Sequence, residues 1–232
     1  MEVETSPAHI LLADDHALIR EGIQAMLESE PDLEVIGEAT NGQEALEICR
    51  ELCPELVLMD VRMPIMDGLE ATRKIKRECP ETSVLMVTTY ESSDYLFEAI
   101  KSGAAGYVLK NVTKPQLSNA IRRTLGGESP LNQELAMEML RRFAVEEESV
   151  AELPPRSKVP SRQPLEEPLT DRELEILQYV MQGFTNHEIA QRLVISTGTV
   201  KHHVRHIIAK LGVSDRTQAA VRAIELGLLG KP

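Results

Sequence analysis

Leu56-Val-Leu-Met-Asp60 is the stretch that decides the fold, because four apolar residues are followed directly by a carboxylate. Short, wholly apolar runs of this kind are typical of strands buried on both faces of a parallel sheet. Similar runs occur at residues 10–13, 35–36, 84–87 and 107–109. The sequence therefore predicts five buried parallel strands.

Amphipathic segments with helical spacing separate these runs. They lie near residues 17–29, 43–52, 69–78, 94–102 and 115–125, and a further one lies at 133–143. Alternating strands and helices predict an α/β fold, in which helices cover both faces of an open parallel sheet. We place this first domain at residues 8–128.

A proline-rich region separates the first domain from the rest of the chain. Between residues 145 and 169, five prolines and the run Glu146-Glu147-Glu148 leave neither a helix interior nor an apolar face. We expect an extended tether within a connecting region at 129–168; an ordered strap packed along one domain is the alternative. Residues 169–230 show four short helical patterns and no strand pattern, which predicts a separate all-α domain.

Composition and charge exclude several classes of protein. The chain has 232 residues, a hydrophobic content of 42% and a net charge of −12, which excludes wholesale disorder. No apolar run approaches the roughly 20 residues that span a bilayer, and the three cysteines form neither a disulfide framework nor a zinc-spaced set. We therefore expect a cytoplasmic protein without a membrane partner. Residues 1–150 carry a net charge of −14 and residues 151–232 carry +2, so only the C-terminal end is expected to approach a polyanion.

Polar side chains follow the predicted strands at the points where the strands end. Asp14 and Asp15 follow the first strand, Asp60 the third, Thr88 the fourth and Lys110 the fifth. Ligands of open α/β sheets bind outside the carboxyl ends of the strands, so we expect these groups to meet at one edge. Close carboxylates repel unless a cation neutralises them, and hard oxygen ligands favour Mg²⁺. For any single aspartate, a loop or helix-capping role is the alternative.

Four separated motifs resemble the receiver domain of two-component response regulators. They are Leu12-Ala-Asp14-Asp15-His16, Leu58-Met-Asp60-Val-Arg-Met-Pro64-Ile-Met-Asp-Gly68, Val87-Thr88-Thr89 and Gly106-Tyr107-Val-Leu-Lys110. The resemblance implies a flavodoxin-like fold in which Asp60 accepts a phosphoryl group from a cognate histidine kinase. It also implies that Asp15, Asp60 and the backbone carbonyl of Arg62 ligate Mg²⁺, with Asp14 supporting the ion through water.

The same resemblance implies a conformational switch. Thr88 would hydrogen-bond the phosphoryl oxygens, and Lys110 would pair with them. Tyr107 would then rotate into the space that Thr88 vacates; a half-buried strand aromatic is the alternative for this residue.

Two capping boxes begin helices in the second domain, Thr170-Asp-Arg-Glu173 and Thr185-Asn-His-Glu188. They predict helices near residues 171–182 and 186–193, followed by helices near 197–211 and 215–226. Two helices joined by a tight turn match the helix-turn-helix plan. The third helix should bury an apolar face that consists of Val200, Val204, Ile207 and Leu211.

The opposite face of this third helix is basic. Lys201, His202 and Arg205 cluster there, and Thr199 lies near the amino end. A helix with an apolar back and a basic front suits the major groove of DNA, although a solvated surface helix has the same pattern.

The second domain resembles LuxR-type helix-turn-helix domains. The matching stretches are residues 169–177, 183–190, 196–203 and 210–219. A receiver followed by this module is the layout of NarL/FixJ-type transcriptional response regulators. The resemblance implies that Thr199, Lys201, His202 and Arg205 contact promoter DNA, that Asn186 contacts a phosphate, and that the last helix forms the dimer surface.

Together these features predict a transcription factor, not an enzyme, in which phosphoryl transfer to Asp60 promotes homodimerisation and promoter binding. Two other classes are alternatives: an Mg²⁺-dependent phosphatase or hydrolase, and a DNA-binding or protein-interaction module that works without phosphorylation. The sequence leaves open whether an interdomain contact or weak monomer binding holds the off state. It also leaves open which receiver helices form the dimer.

Overall fold

The computed structural model describes residues 6–89, 93–128 and 167–228. The chain divides into two compact units between Gly126 and Gly127. The predicted helix at 133–143 and most of the proline-rich tether lie outside the described residues. In the described ranges, no helix is both long enough and apolar enough to cross a membrane.

The N-terminal unit is a five-stranded parallel sheet with helices on both faces. The elements follow one another as β1 (Ala8–Ala13), α1 (Ala17–Leu27), β2 (Leu33–Ala39), α2 (Gly42–Leu52), β3 (Leu56–Met59), α3 (Gly68–Glu78), β4 (Ser83–Thr88), α4 (Ser93–Lys101), β5 (Gly106–Leu109) and α5 (Lys114–Leu125). The strand order is β2-β1-β3-β4-β5, which is the flavodoxin-like order with its switch point between β1 and β3. The predicted fold class is confirmed.

Alternate residues of each strand pack on opposite faces of the sheet. In β1, Leu11 and Ala13 join one core with α2 and α3, whereas Ile10 and Leu12 join another core with α1 and α5. Burial on both faces explains the continuous apolar runs. In the central strands β1, β3 and β4 it also restricts polar groups to the strand ends.

The C-terminal unit consists, within residues 167–228, of α6 (Asp171–Met181), α7 (Asn186–Leu193), α8 (Thr197–Leu211) and α9 (Arg216–Glu225). Both predicted capping boxes are present. The Glu173 carboxylate accepts a hydrogen bond from the Thr170 amide at 2.8 Å, and the Glu188 carboxylate accepts one from the Thr185 amide at 2.7 Å. A turn at Val194, which has a φ of +52°, joins α7 to α8, so the predicted helix-turn-helix is confirmed.

The apolar face of α8 lies in the core of this unit. Val200, Val204, Ile207 and Leu211 are all buried, and they pack in one cluster with Ile176 and Leu177 of α6. The predicted orientation of α8 is therefore confirmed, and its basic face is left on the surface.

Gly68 lies at the start of α3, directly against the strand that carries Asp60. Its amide donates to the Val61 carbonyl at 2.9 Å, and a Cβ at this position would lie 1.9 Å from the Asp60 carbonyl oxygen. The backbone next to Asp60 thus depends on a glycine. Gly22 in α1 is a natural contrast, because a Cβ there would meet nothing within 4 Å.

We expect Gly68→Ala to lower the free energy of unfolding by about 2 kcal/mol or more, because the added methyl group displaces backbone. Gly22→Ala should raise it by about 0.5–1 kcal/mol, since glycine is costly inside a helix. Urea unfolding followed by circular dichroism measures both. Equal stability of the two variants would contradict the close approach at Gly68.

Candidate functional site

Four strand ends bring polar groups together at the carboxyl edge of the sheet. Asp14 follows β1, Asp60 follows β3, Thr88 ends β4 and Lys110 follows β5. Backbone hydrogen bonds continue between neighbouring strands beyond the apolar runs: the Asp60 amide donates to the Ala13 carbonyl at 2.8 Å, and the Lys110 amide donates to the Thr88 carbonyl at 2.7 Å. The four side chains are thus positioned by the sheet itself.

Lys110 bridges two buried carboxylates. Its Nζ lies 2.6 Å from Asp14 Oδ2 and 3.1 Å from Asp60 Oδ2. The other carboxylate oxygen of Asp60 accepts a hydrogen bond from the Val61 amide at 2.8 Å. Both oxygens of Asp60 therefore have donors, and one of the donors carries a full positive charge.

Burial and neighbouring charges have opposite effects on the pKa values of Asp60 and Lys110. Burial raises the pKa of Asp60, and the hydrogen bond and charge of Lys110 only partly offset that rise. For Lys110, burial alone would lower the pKa, but hydrogen bonds to Asp14 and Asp60 outweigh it and raise the pKa above its ordinary value. The lysine is thus held charged beside a carboxylate whose negative charge is costly, which favours binding of a further cation.

The donor set fits a small divalent cation. Asp14, Asp15, His16 and Asp60 each offer one ligand atom, and these atoms all lie within 4.8 Å of one another. Carboxylate oxygens are the ligands that Mg²⁺ prefers in proteins. The structure thus brings the three predicted aspartates together; ligation by the backbone carbonyl of Arg62 stays a prediction.

Thr88 and Tyr107 are in contact beside this cluster. The Tyr107 side chain forms a hydrogen bond with that of Thr88, and burial raises the pKa of Tyr107 to about 12. Thr88 is fully buried and Tyr107 is half-buried. The two residues of the predicted switch are therefore linked in this structure.

Three side-chain contacts next to the site were missed in the sequence. The Arg20 side chain donates to the Asp14 carbonyl at 2.7 Å and to Glu38 at 2.6 Å; no sequence pattern links these partners. The Arg62 guanidinium hydrogen-bonds the Tyr95 hydroxyl of α4. His16 joins the metal-ligand cluster, and its place directly after Asp14-Asp15 was the available signal.

The residues expected to contact DNA lie mostly on the exposed face of α8. Thr199, Lys201, His202 and Arg205 are all exposed. His206 lies one helical turn after His202 on the same face of α8. It is also exposed, and the two ring centroids lie 4.1 Å apart.

Asn186, which the resemblance placed in contact with a phosphate, has a buried side chain, and its contact with DNA stays a prediction. This residue is only 1% exposed, and its side-chain oxygen accepts a hydrogen bond from Arg216 Nη1 at 2.7 Å. Arg216 is itself buried and also donates to the Phe184 carbonyl. The Asn186 side chain therefore ties α7 to α9 in the interior of this unit.

Comparisons with known families match both units. Residues 10–122 match the response regulator receiver domain, and residues 167–223 match the luxR family of bacterial regulatory proteins.

The chain is also similar to individual known proteins. It is 40% identical to the transcriptional regulatory protein LnrK of Bacillus subtilis, over 94% of this chain and 97% of that protein. It is 42% identical to the transcriptional regulatory protein LiaR of the same organism, over 92% and 95%. Among solved structures, a LuxR-family two-component response regulator from Aurantimonas sp. SI85-9A1 matches 59% of this chain and 98% of its own, with 34% identity and a TM-score of 0.54.

Asp60→Asn should raise the free energy of unfolding at pH 7.5, because asparagine keeps the acceptor for the Val61 amide and removes a buried charge. Since the pKa of Asp60 is raised in the folded chain, the wild-type protein gains stability as the pH falls through that pKa. The difference in the free energy of unfolding between Asp60→Asn and the wild-type protein should therefore become smaller as the pH falls. Urea unfolding at several pH values tests this; a difference that widens at low pH would show that Asp60 is stabilised as the carboxylate.

Proposed function

The chain belongs to the response regulators that join a receiver domain to a LuxR-family helix-turn-helix domain, and from this premise we propose that phosphorylation of Asp60 controls its binding to promoter DNA. The chain is a transcriptional regulator with a receiver domain and a LuxR-family helix-turn-helix domain. The observation that carries the proposal is the Lys110 ammonium group between Asp14 and Asp60.

Asp60 is the phosphoacceptor in this mechanism. One carboxylate oxygen attacks the phosphorus atom of a phosphohistidine on a sensor kinase, a P–O bond forms, and the P–N bond breaks as the imidazole leaves. The charged Lys110 lies within contact of Asp60, so it offsets negative charge that develops on the phosphoryl oxygens. A bound Mg²⁺ would supply further neutralisation of those oxygens. Asp15, Asp60 and the backbone carbonyl of Arg62 would hold the ion, with Asp14 supporting it through water.

Thr88 and Tyr107 transmit the phosphorylation of Asp60 to the surface of the receiver domain. The new phosphoryl oxygens are strong acceptors, and the Thr88 hydroxyl turns toward them and away from its bond with Tyr107. Tyr107 then takes a different position on β5, beside α4. The altered surface promotes homodimerisation, and a dimer presents two copies of α8 to two half-sites of the promoter.

The phosphoacceptor is tested by intact-mass measurement after incubation with acetyl phosphate. We expect one phosphoryl adduct on the wild-type protein, its loss on removal of Mg²⁺, and its absence in Asp60→Asn. Asp32→Asn is the matched control, because Asp32 is an exposed carboxylate that pairs with Arg122 away from the site. An adduct that persists in Asp60→Asn would place the phosphoacceptor elsewhere.

The basic face of α8 is tested by the salt dependence of DNA binding. Lys201→Ala and Arg205→Ala should each weaken retention of a target promoter fragment. If the lost contact is to a phosphate, the slope of log K against log salt should fall by about one. Lys74→Ala, which removes a cation from α3 that pairs with Glu70, should leave both quantities unchanged. Equal effects of all three variants would mean that α8 contributes only bulk charge.

A further inference from the structure

We infer that His16 is a metal ligand of the receiver site, and that it shifts the preference of this site from Mg²⁺ toward Mn²⁺ and the later divalent transition metals. The inference rests on the proposed function, because it takes the cluster of aspartates to be a metal site. It adds a nitrogen donor to a set that otherwise consists of oxygen donors.

The position of the ring supports this role. Nδ1 of His16 lies 2.8 Å from Asp15 Oδ1 and 3.2 Å from Asp14 Oδ1. The backbone amide of His16 also donates to Asp14 Oδ1 at 2.9 Å, which anchors the residue against the cluster. Although the His16 side chain is 67% exposed and has open solvent available, the ring lies on the carboxylates.

The place of His16 in the helix is compatible with this role. It is the N-cap of α1, and its side chain makes no capping hydrogen bond. Serine, threonine, aspartate and asparagine stabilise this position by capping the first amides, and the other helices with side-chain caps in the described residues use such residues. His16 therefore forgoes capping, which leaves its imidazole available to the cluster.

The chemistry of the donors predicts the change in preference. Mg²⁺ takes oxygen ligands and gives up its waters reluctantly, so an imidazole adds little to its binding. Mn²⁺ accepts both carboxylates and imidazole, and affinity for nitrogen donors rises further along the first transition row. The site thus combines three carboxylates with one imidazole. Such a site should favour Mn²⁺ over Mg²⁺ more strongly than a site of carboxylates alone.

The test is electron spin echo envelope modulation of Mn²⁺ bound to the full-length protein, since this measurement detects the nitrogen of a coordinated imidazole. We expect nitrogen modulation in the wild-type protein and its loss in His16→Asn, a variant that supplies a good N-cap and so keeps α1 stable. The Mn²⁺ affinity should fall about tenfold in His16→Asn, whereas the Mg²⁺ affinity should change by less than about twofold.

Two further variants make each outcome decisive. His9→Asn is the matched control, because His9 lies beside Glu34 and Glu55 and not in the cluster; it should keep the modulation. Asp15→Asn separates the two proposals. If Mn²⁺ binding is weakened by Asp15→Asn but the wild-type protein shows no nitrogen modulation, the inference about His16 is overturned and the metal site stands. If Mn²⁺ binds Asp15→Asn as tightly as the wild-type protein, the metal site itself fails, and this inference fails with it.

Discussion

The ammonium group of Lys110 lies between two buried carboxylates, and the arrangement at the carboxyl edge of the sheet depends on it. Asp14 and Asp60 are only 4% and 6% exposed. Neighbouring carboxylates that are buried in this way repel one another unless a positive charge lies near them. The backbone of Lys110 is bonded to that of Thr88. The compensating charge is therefore positioned by the same pair of strands that carries Thr88 and Tyr107, the two residues of the predicted switch.

The C-terminal unit also contains a lysine that pairs with a buried carboxylate, and there the pair joins two helices. Glu173 is buried, and burial alone would raise its pKa, but the Thr170 amide and Lys210 outweigh burial and lower it. Lys210 Nζ lies 2.9 Å from the Glu173 carboxylate, which joins the start of α6 to the end of α8. The buried Asn186–Arg216 contact joins α7 to α9 in the same unit, so these two polar contacts link the four helices in pairs. A rigid helix keeps its exposed side chains in one register, which binding in a groove requires.

Local patterns in the sequence determined most of the fold and the outline of the site. Strands buried on both faces read as continuous apolar runs, and capping boxes mark helix starts, because both are properties of a few consecutive residues. The carboxyl ends of parallel strands meet at one edge of the sheet. The meeting of Asp14, Asp60, Thr88 and Lys110 therefore followed from where the runs end. The buried and exposed faces of α8 followed in the same way from helical spacing.

Only the tertiary structure decided which partners the polar side chains take. The resemblance implied a role for Asn186 at the DNA, and only the structure shows that its side chain accepts a hydrogen bond from Arg216, thirty residues later in the chain. Arg20 supports the Asp14 backbone through a partner on β2, and Arg62 reaches a tyrosine on α4. The sequence determined the elements and their faces, because periodicity is local. The tertiary structure decided these contacts, because each joins residues that become neighbours only when separate elements pack together.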